Sequence, residues 1–223
     1  MPTRRRTTAT TATELCQYAA LFYQRGWMPG TSGNLSIKVA DRPLTLAVTP
    51  SSVDKGALTP RDILFVGPAG AVLRGRRGIR PSAETAIHLA LYHAFPDTGA
   101  VFHVHTVHST LAATHLATDG AVSVPGLEVL KGFQTMMGNR PSTSELVVLP
   151  NIDHLGEFAR NVQAHASRLR HVPGFLIAHH GMTCWGRAPE EAEKHLELME
   201  FLCQYLWELG RAKGRLTPSR RVC

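Results

Sequence analysis

Two histidines separated by one residue, His103-Val104-His105, close the run Ala100-Val101-Phe102. On a strand, side chains at i and i+2 project to the same side, so these two rings can share one metal ion. Imidazole nitrogen suits Zn²⁺, and three protein ligands leave a coordination position open for substrate. His108 would complete a His-x-His-x-x-His pattern of the metallo-β-lactamase kind, but that pattern needs an Asp where this chain has Val107, so the match fails. A better third ligand lies in His179-His180-Gly181, after the buried-looking run Phe175 to Ala178. Adjacent strand residues face opposite ways, so one of the two histidines is expected at the metal. His88, His93, His115, His154, His165, His171 and His195 occur singly and read as structural.

A second group of residues suits anions. Gly30-Thr31-Ser32-Gly33-Asn34, Thr49-Pro50-Ser51-Ser52 and Pro81-Ser82 offer backbone N–H groups and hydroxyls of the kind that cradle phosphate. Two carboxylates complete the inventory. Glu84 lies in the first turn of a helix on its apolar side. Glu128 lies in the apolar stretch Pro125 to Gly132. Desolvation would raise either carboxyl toward the range useful for proton transfer. The alternatives are helix-dipole stabilisation for Glu84 and an ion pair with Lys131 for Glu128, and spacing does not choose between the two carboxylates.

The elements that must position these groups follow from periodicity. Thr13 is expected to cap a helix with Leu15, Tyr18, Ala19 and Phe22 on one face, stopped by Gly26. Leu35 to Val39 and Leu44 to Val48 read as strands. Ile63 to Val66 and Ala71 to Leu73 flank Gly67-Pro68-Ala69-Gly70 as a hairpin. Ser82 is expected to cap a helix bearing Ile87, Ala90, Leu91 and Ala94. Ala100 to His105 reads as a strand, His108 to Leu116 as a helix, and Val122 to Val124 and Leu146 to Leu149 as strands. Asp153 precedes a helix with Leu155, Phe158, Ala159 and Val162 on one side. The last helix starts at Pro189-Glu190-Glu191 and is expected to stop at Gly210. Mixed strands and helices without a linker or repeat indicate a single domain, a sheet covered by helices.

Composition excludes several classes. The 223 residues are 43% hydrophobic and 18% charged, a globular balance. No apolar run nears the roughly 20 residues of a bilayer span. The formal charge is +7, but the excess sits at the ends. Arg4, Arg5 and Arg6 have no acid beside them in residues 1–13, nor do Arg211, Lys213, Arg215, Arg220 and Arg221 in 211–223. The body is nearly neutral, which argues against a nucleic-acid surface. Residues 1–13 and 211–223 read as basic tails around a domain at 14–210, the first a disordered terminus in preference to a transit peptide. Cys16, Cys184, Cys203 and Cys223 lack Cys-x-x-Cys spacing and suit a reducing cytoplasm.

Taken together, GTSGNLSIK (30–38), VTPSSVDKGALTPRDIL (48–64), RPSAET (80–85), AVFHVHT (100–106), LEVLKGF (127–133), GFLIAHHGMTCWGR (174–187) and EEAEKHLELMEFL (190–202) resemble the class II aldolase family. The segments at 54–62 and 128–132 are similar to its branch that dehydrates 5-methylthioribulose 1-phosphate in methionine salvage. The resemblance implies a three-layer α/β/α domain with a largely antiparallel central sheet, assembled as a homotetramer with sites at subunit interfaces. It implies one Zn²⁺ on His103, His105 and His180, phosphate contacts from Thr31, Ser32, Asn34, Ser51, Ser52 and Ser82, and Glu128 as the acid/base. Glu84 stands where aldolases keep their acid/base, and it and Lys131 take supporting roles. The implied partner is a small phosphorylated ketose, with neither nucleic acid nor membrane. One departure is Ala178-His179 just ahead of the implied metal ligand, where relatives often carry a basic residue. The rival readings are a sugar-phosphate aldolase using Glu84 and a non-enzymatic domain of the adducin kind.

Overall fold

The computed structural model describes residues 7–136, 144–152, 155–170 and 172–214. In chain order these form α1 (Thr8–Gln24), β1 (Asn34–Asp41), β2 (Leu44–Val48), β3 (Leu64–Val66), β4 (Val72–Arg74), α2 (Thr85–Ala94), β5 (Ala100–Val104), α3 (Val107–His115), β6 (Ala121–Val124), β7 (Ser144–Leu149), α4 (Leu155–Ala164), α5 (Ala166–Leu169), β8 (Gly174–Ile177), β9 (Gly181–Gly186) and α6 (Pro189–Ala212). Two 3₁₀ segments, Lys55–Ala57 and Glu128–Met136, complete the described elements.

The strands make one nine-stranded sheet in the order β4-β3-β2-β1-β5-β9-β8-β7-β6. Of the pairings only β7–β8 is parallel. Both faces of this mainly antiparallel sheet are covered. Phe102 and Val104 on β5, Val148 on β7 and Leu176 on β8 pack with Leu15 and Phe22 of α1 and with Leu196 and Met199 of α6. The alternate residues Val101, Leu149, Phe175 and Ile177 pack with Ile87 and Leu91 of α2 and with Phe158 and Val162 of α4. Two cores on opposite faces of one sheet are the three-layer α/β/α arrangement. They also explain why β5 is apolar at nearly every position, since neither of its faces meets water.

Several boundaries differ from the sequence expectations. Helix α1 begins at Thr8, with a capping box formed by Thr7 and Thr10, so Thr13 lies inside the helix and residues 8–13 are its first turns, not a tail. Thr13 cannot serve as cap because its own hydroxyl donates back to the Ala9 carbonyl at 3.1 Å. Helix α6 passes through the buried Gly210 and stops at Ala212, where Gly214 adopts φ +63°. Ahead of α2 the Ser82 hydroxyl accepts the Glu84 N–H at 3.2 Å, and the residue at the cap position is Glu84, not Ser82. The strand expected to run straight into His179-His180 instead turns back at Ala178–His180 into β9. Asp153, the tail residues 1–6 and 215–223, and with them Cys223, lie outside the described residues.

Candidate active site

The register of the central strands assembles the site. β5 runs antiparallel to β1 on one side and β9 on the other, which sets His103 opposite Asn34 and opposite Thr183. Cross-strand neighbours share a face, so all three side chains meet on the α2 side of the sheet. The His103 ring is buried, and its Nδ1 lies 2.9 Å from the Thr183 hydroxyl. His105 stands just past the end of β5, where its backbone N–H donates to the Trp27 carbonyl at 2.9 Å. His180 arrives from the β8–β9 turn, its Nδ1 3.2 Å from Asn151 Oδ1 and its carbonyl accepting the Thr110 hydroxyl at 3.0 Å. That turn is tight because Gly181 passes against β5: a Cβ there would lie 2.3 Å from the Val104 carbonyl oxygen. His179, in the left-handed region at φ +58°, turns the other way, toward Thr114 at 3.3 Å.

The outcome is a convergence of ring nitrogens. His103 Nε2 lies 3.0 Å from His105 Nε2 and 3.2 Å from His180 Nε2. Glu84 Oε1 lies 2.9 Å from His180 Nε2 and 3.6 Å from His103 Nε2, so the four side chains offer ligand atoms all within 4.8 Å of one another. Three imidazole nitrogens facing one point cannot all satisfy each other with hydrogen bonds, whereas a cation accepts every lone pair. Proton placement agrees. With Nδ1 of His103 donating to Thr183, the Nε2 lone pair is free, the tautomer a metal ligand needs. Burial holds the His103 pKa down to about 4, and burial with the neighbouring imidazoles holds His105 to about 3, so both rings are neutral at neutral pH. Burial works to raise the Glu84 carboxyl, but His103 and the other rings as they protonate in acid, with the hydrogen bond from His180, outweigh it and hold Glu84 well below the carboxylate range. The donor set fits a divalent metal ion.

The three anion-friendly turns meet beside this cluster. Asn34 Nδ2 donates to Glu84 Oε2 at 2.5 Å. Pro50 forms an isolated β-bridge with Pro81, and the Ser51 N–H donates to the Arg80 carbonyl at 2.8 Å. Ser52 adopts φ +58° with its hydroxyl 3.3 Å from that of Ser51, and the Ser32 hydroxyl donates to the Pro29 carbonyl at 2.7 Å. Thr31, exposed, and Ser82, half-buried, sit on the first and third of these turns.

Glu128 is placed elsewhere. The apolar stretch around it does not desolvate it: its side chain is 72% exposed and its Oε1 accepts from Lys131 Nζ at 2.6 Å, the ion-pair alternative. A 3₁₀ conformation from Glu128 turns Leu130 and Phe133 inward and Glu128 with Lys131 outward. His108, the fourth histidine near the metal strand, bonds Glu200 of α6 at 2.9 Å; Glu200 also accepts from the Thr106 hydroxyl, which caps α3. Sequence reading missed Thr183 and Asn151, because neither has a signal until β9 is known to pair with β5. It also passed over Lys55, a lysine inside an otherwise polar loop, which is buried.

Residues 13–207 match the profile of the Class II Aldolase and Adducin N-terminal domain. The chain belongs to the class II aldolase family. Among its relatives, the methylthioribulose-1-phosphate dehydratase of Persephonella marina is 35% identical over 192 residues, 86% of each chain. That of Geobacillus kaustophilus is 38% identical over 199 residues, 89% of this chain and 90% of its own. Among solved structures, Escherichia coli YgbL superposes with a TM-score of 0.74 at 28% identity, covering 92% of both chains. The class II aldolase family is metal-dependent, in keeping with the His and Glu cluster. Among the described residues no helix is long and apolar enough to cross a membrane.

Proposed function

We propose that this chain is a hydro-lyase that removes water from C3 and C4 of 5-methylthioribulose 1-phosphate, giving the 2,3-diketone phosphate, in methionine salvage. The observation that carries the reading is the adjacency of a three-imidazole cluster and three hydroxyl- and amide-rich turns, which suits a phosphorylated ketose. In this proposal His103, His105 and His180 hold one divalent ion, zinc by its preference for imidazole. When bound, the ion draws electron density from the C2 carbonyl and so acidifies the hydrogen on C3.

The residues of the chain do the rest. Thr31, Ser32, Asn34, Ser51, Ser52 and Ser82 hold the phosphate, and this remote grip fixes C3 and C4 for reaction. Glu128 takes the C3 proton; the C–H electron pair forms the C3–C4 double bond as the C4–O bond breaks. The same carboxyl returns a proton to the departing hydroxyl, and the resulting C3 enol becomes the second ketone. Such acid/base help is worth roughly 10²–10⁴-fold. Its exposure suits a homotetramer with sites at subunit contacts, where Glu128 beside Lys131 serves the site of a neighbouring protomer. Glu84 supports the reaction by bridging Asn34 of the phosphate loop to His180 of the cluster. The catalytic domain in this reading runs from α1 through α6, 8–212. Unpaired Cys16, Cys184 and Cys203 favour work in the cytoplasm.

A second reading has one observation in its favour. Glu84, the carboxylate within the cluster, would serve as proton carrier in carbon–carbon cleavage of a sugar phosphate. Incubation with 5-methylthioribulose 1-phosphate separates the two: the diketone is expected, abolished by chelator and restored by metal. Glu128→Gln is expected to stop turnover with metal retained. Cleavage products would instead establish the second reading, and loss of turnover in Glu84→Gln alone would overturn Glu128 as the acid/base. A purified chain that binds no divalent metal would leave only the adducin-like, non-enzymatic role.

A further inference from the structure

Lys55 is 1% exposed, yet its Nζ makes its hydrogen bonds to backbone carbonyls, those of Thr31 and Val53, both at 2.9 Å. A carbonyl solvates an ammonium but does not neutralise it, and an uncompensated buried charge is unfavourable. The nearby carboxylates are committed elsewhere. Asp54 Oδ1 accepts the Gly56 N–H at 2.9 Å, and Glu84 spans Asn34 and His180. Burial lowers the lysine pKa, with Asp54 and Glu84 opposing it. The ammonium sits at the junction of two of the phosphate turns, since Thr31 belongs to the 30–34 loop and Val53 follows Ser51-Ser52. Both loops are therefore fastened to one cation whose counter-charge the described residues do not supply by direct contact.

We propose that Lys55 is a positioning residue for the phosphate: it locks the 30–34 loop to the 51–53 turn and lends them the positive charge that a phosphate dianion balances. This rests on the phosphorylated-ketose reading, and the test is chosen to stand apart from it. Inorganic phosphate is titrated calorimetrically into the metal-loaded full-length protein, wild type and variants. Lys55→Met removes charge and donors at similar length, whereas Lys55→Gln keeps an N–H donor for the carbonyls. If the charge acts, both variants bind phosphate on the order of 10–100-fold more weakly than wild type. If Lys55 is only a tether, Gln restores binding and the proposal falls. It falls equally if wild type shows no phosphate binding, or if either folded variant binds within about threefold of wild type; should Met not fold, Gln decides.

Kinetics supply the second arm. With 5-methylthioribulose 1-phosphate, Lys55→Gln is expected to raise KM by a similar factor with a smaller change in kcat. Its selectivity for the phosphorylated ketose over the unphosphorylated one should shrink in proportion, and unchanged selectivity would overturn the proposal. Weakened phosphate binding in a protein that does not dehydrate the ketose would uphold the role of Lys55 while refuting the substrate assignment.

Discussion

Replacing Thr183 by Val tests whether the sheet register makes the metal cluster. Thr183 and His103 are both fully buried, face each other across β5 and β9, and are joined at 2.9 Å. Valine keeps the shape and removes the hydroxyl, leaving the His103 ring only its backbone hydrogen bond with Met182 in a place water does not reach. Losing one of two such contacts costs about 0.5–1.5 kcal/mol, which is the expected loss of stability in the metal-free protein. The ring also loses the contact that orients it, and removal of such an outer partner weakens metal binding about 10–100-fold. The assay is competition against a chromophoric chelator, with denaturant unfolding of the metal-free protein in parallel. Thr114→Val is the control: its hydroxyl meets His179, outside the cluster, at 3.3 Å, so metal affinity should not move. Thr183→Val holding metal within about twofold of wild type would refute the claim that Thr183 orients the ligand.

Acid should weaken the metal-free protein in a defined window. Burial lowers the His103 pKa from 6.5 to about 4 in the folded state, so the unfolded chain binds this proton first. Stability is then full above the ordinary histidine value and is lost as pH falls from 6.5 toward 4, with His105 acting in the same sense and Glu84 adding its loss below the carboxylate value of 4.5. Denaturant unfolding across that range checks it, and a flat or rising profile would contradict the buried-neutral assignment. Gly181→Ala places a methyl 2.3 Å from the Val104 carbonyl oxygen, so the turn must shift and carry His180 with it. The expected result is a stability loss of about 1–3 kcal/mol and a fall in bound metal per chain, measured by unfolding and metal analysis. Wild-type values for both would show that the turn is not constrained by β5.

The residues best read in advance were those whose signal is local. His103 and His105 share a face because the strand repeat is two residues, and β2 (Leu44–Val48) keeps its expected bounds because Pro43 and Thr49-Pro50 bracket it. Where competing local signals existed, the boundaries moved. Thr7, Thr10 and Thr13 all resemble caps, and the Thr7–Thr10 pair wins because its two residues satisfy each other's backbone donors. For Glu128 spacing left desolvation and an ion pair with Lys131 both open, and the ion pair holds because an apolar segment in 3₁₀ conformation can bury Leu130 and Phe133 while turning its charged residues to solvent.

Side-chain types, the two-residue spacing of the metal strand and the turn-forming stretches are properties of neighbours along the chain, and they were enough to point to imidazole-bound metal and a phosphate cradle, while the resemblance of whole segments pointed to the family. Which groups touch is a matter of long-range pairing. The placement of β9 beside β5 gives His103 its partner Thr183, swings His180 rather than His179 into the cluster, and leaves Glu84 within ligand distance while Glu128 stands at the surface. Lys55 has the same lesson at its sharpest: its charge is written in the sequence, but its burial against two carbonyls from loops more than twenty positions apart exists only once the sheet has brought those loops together.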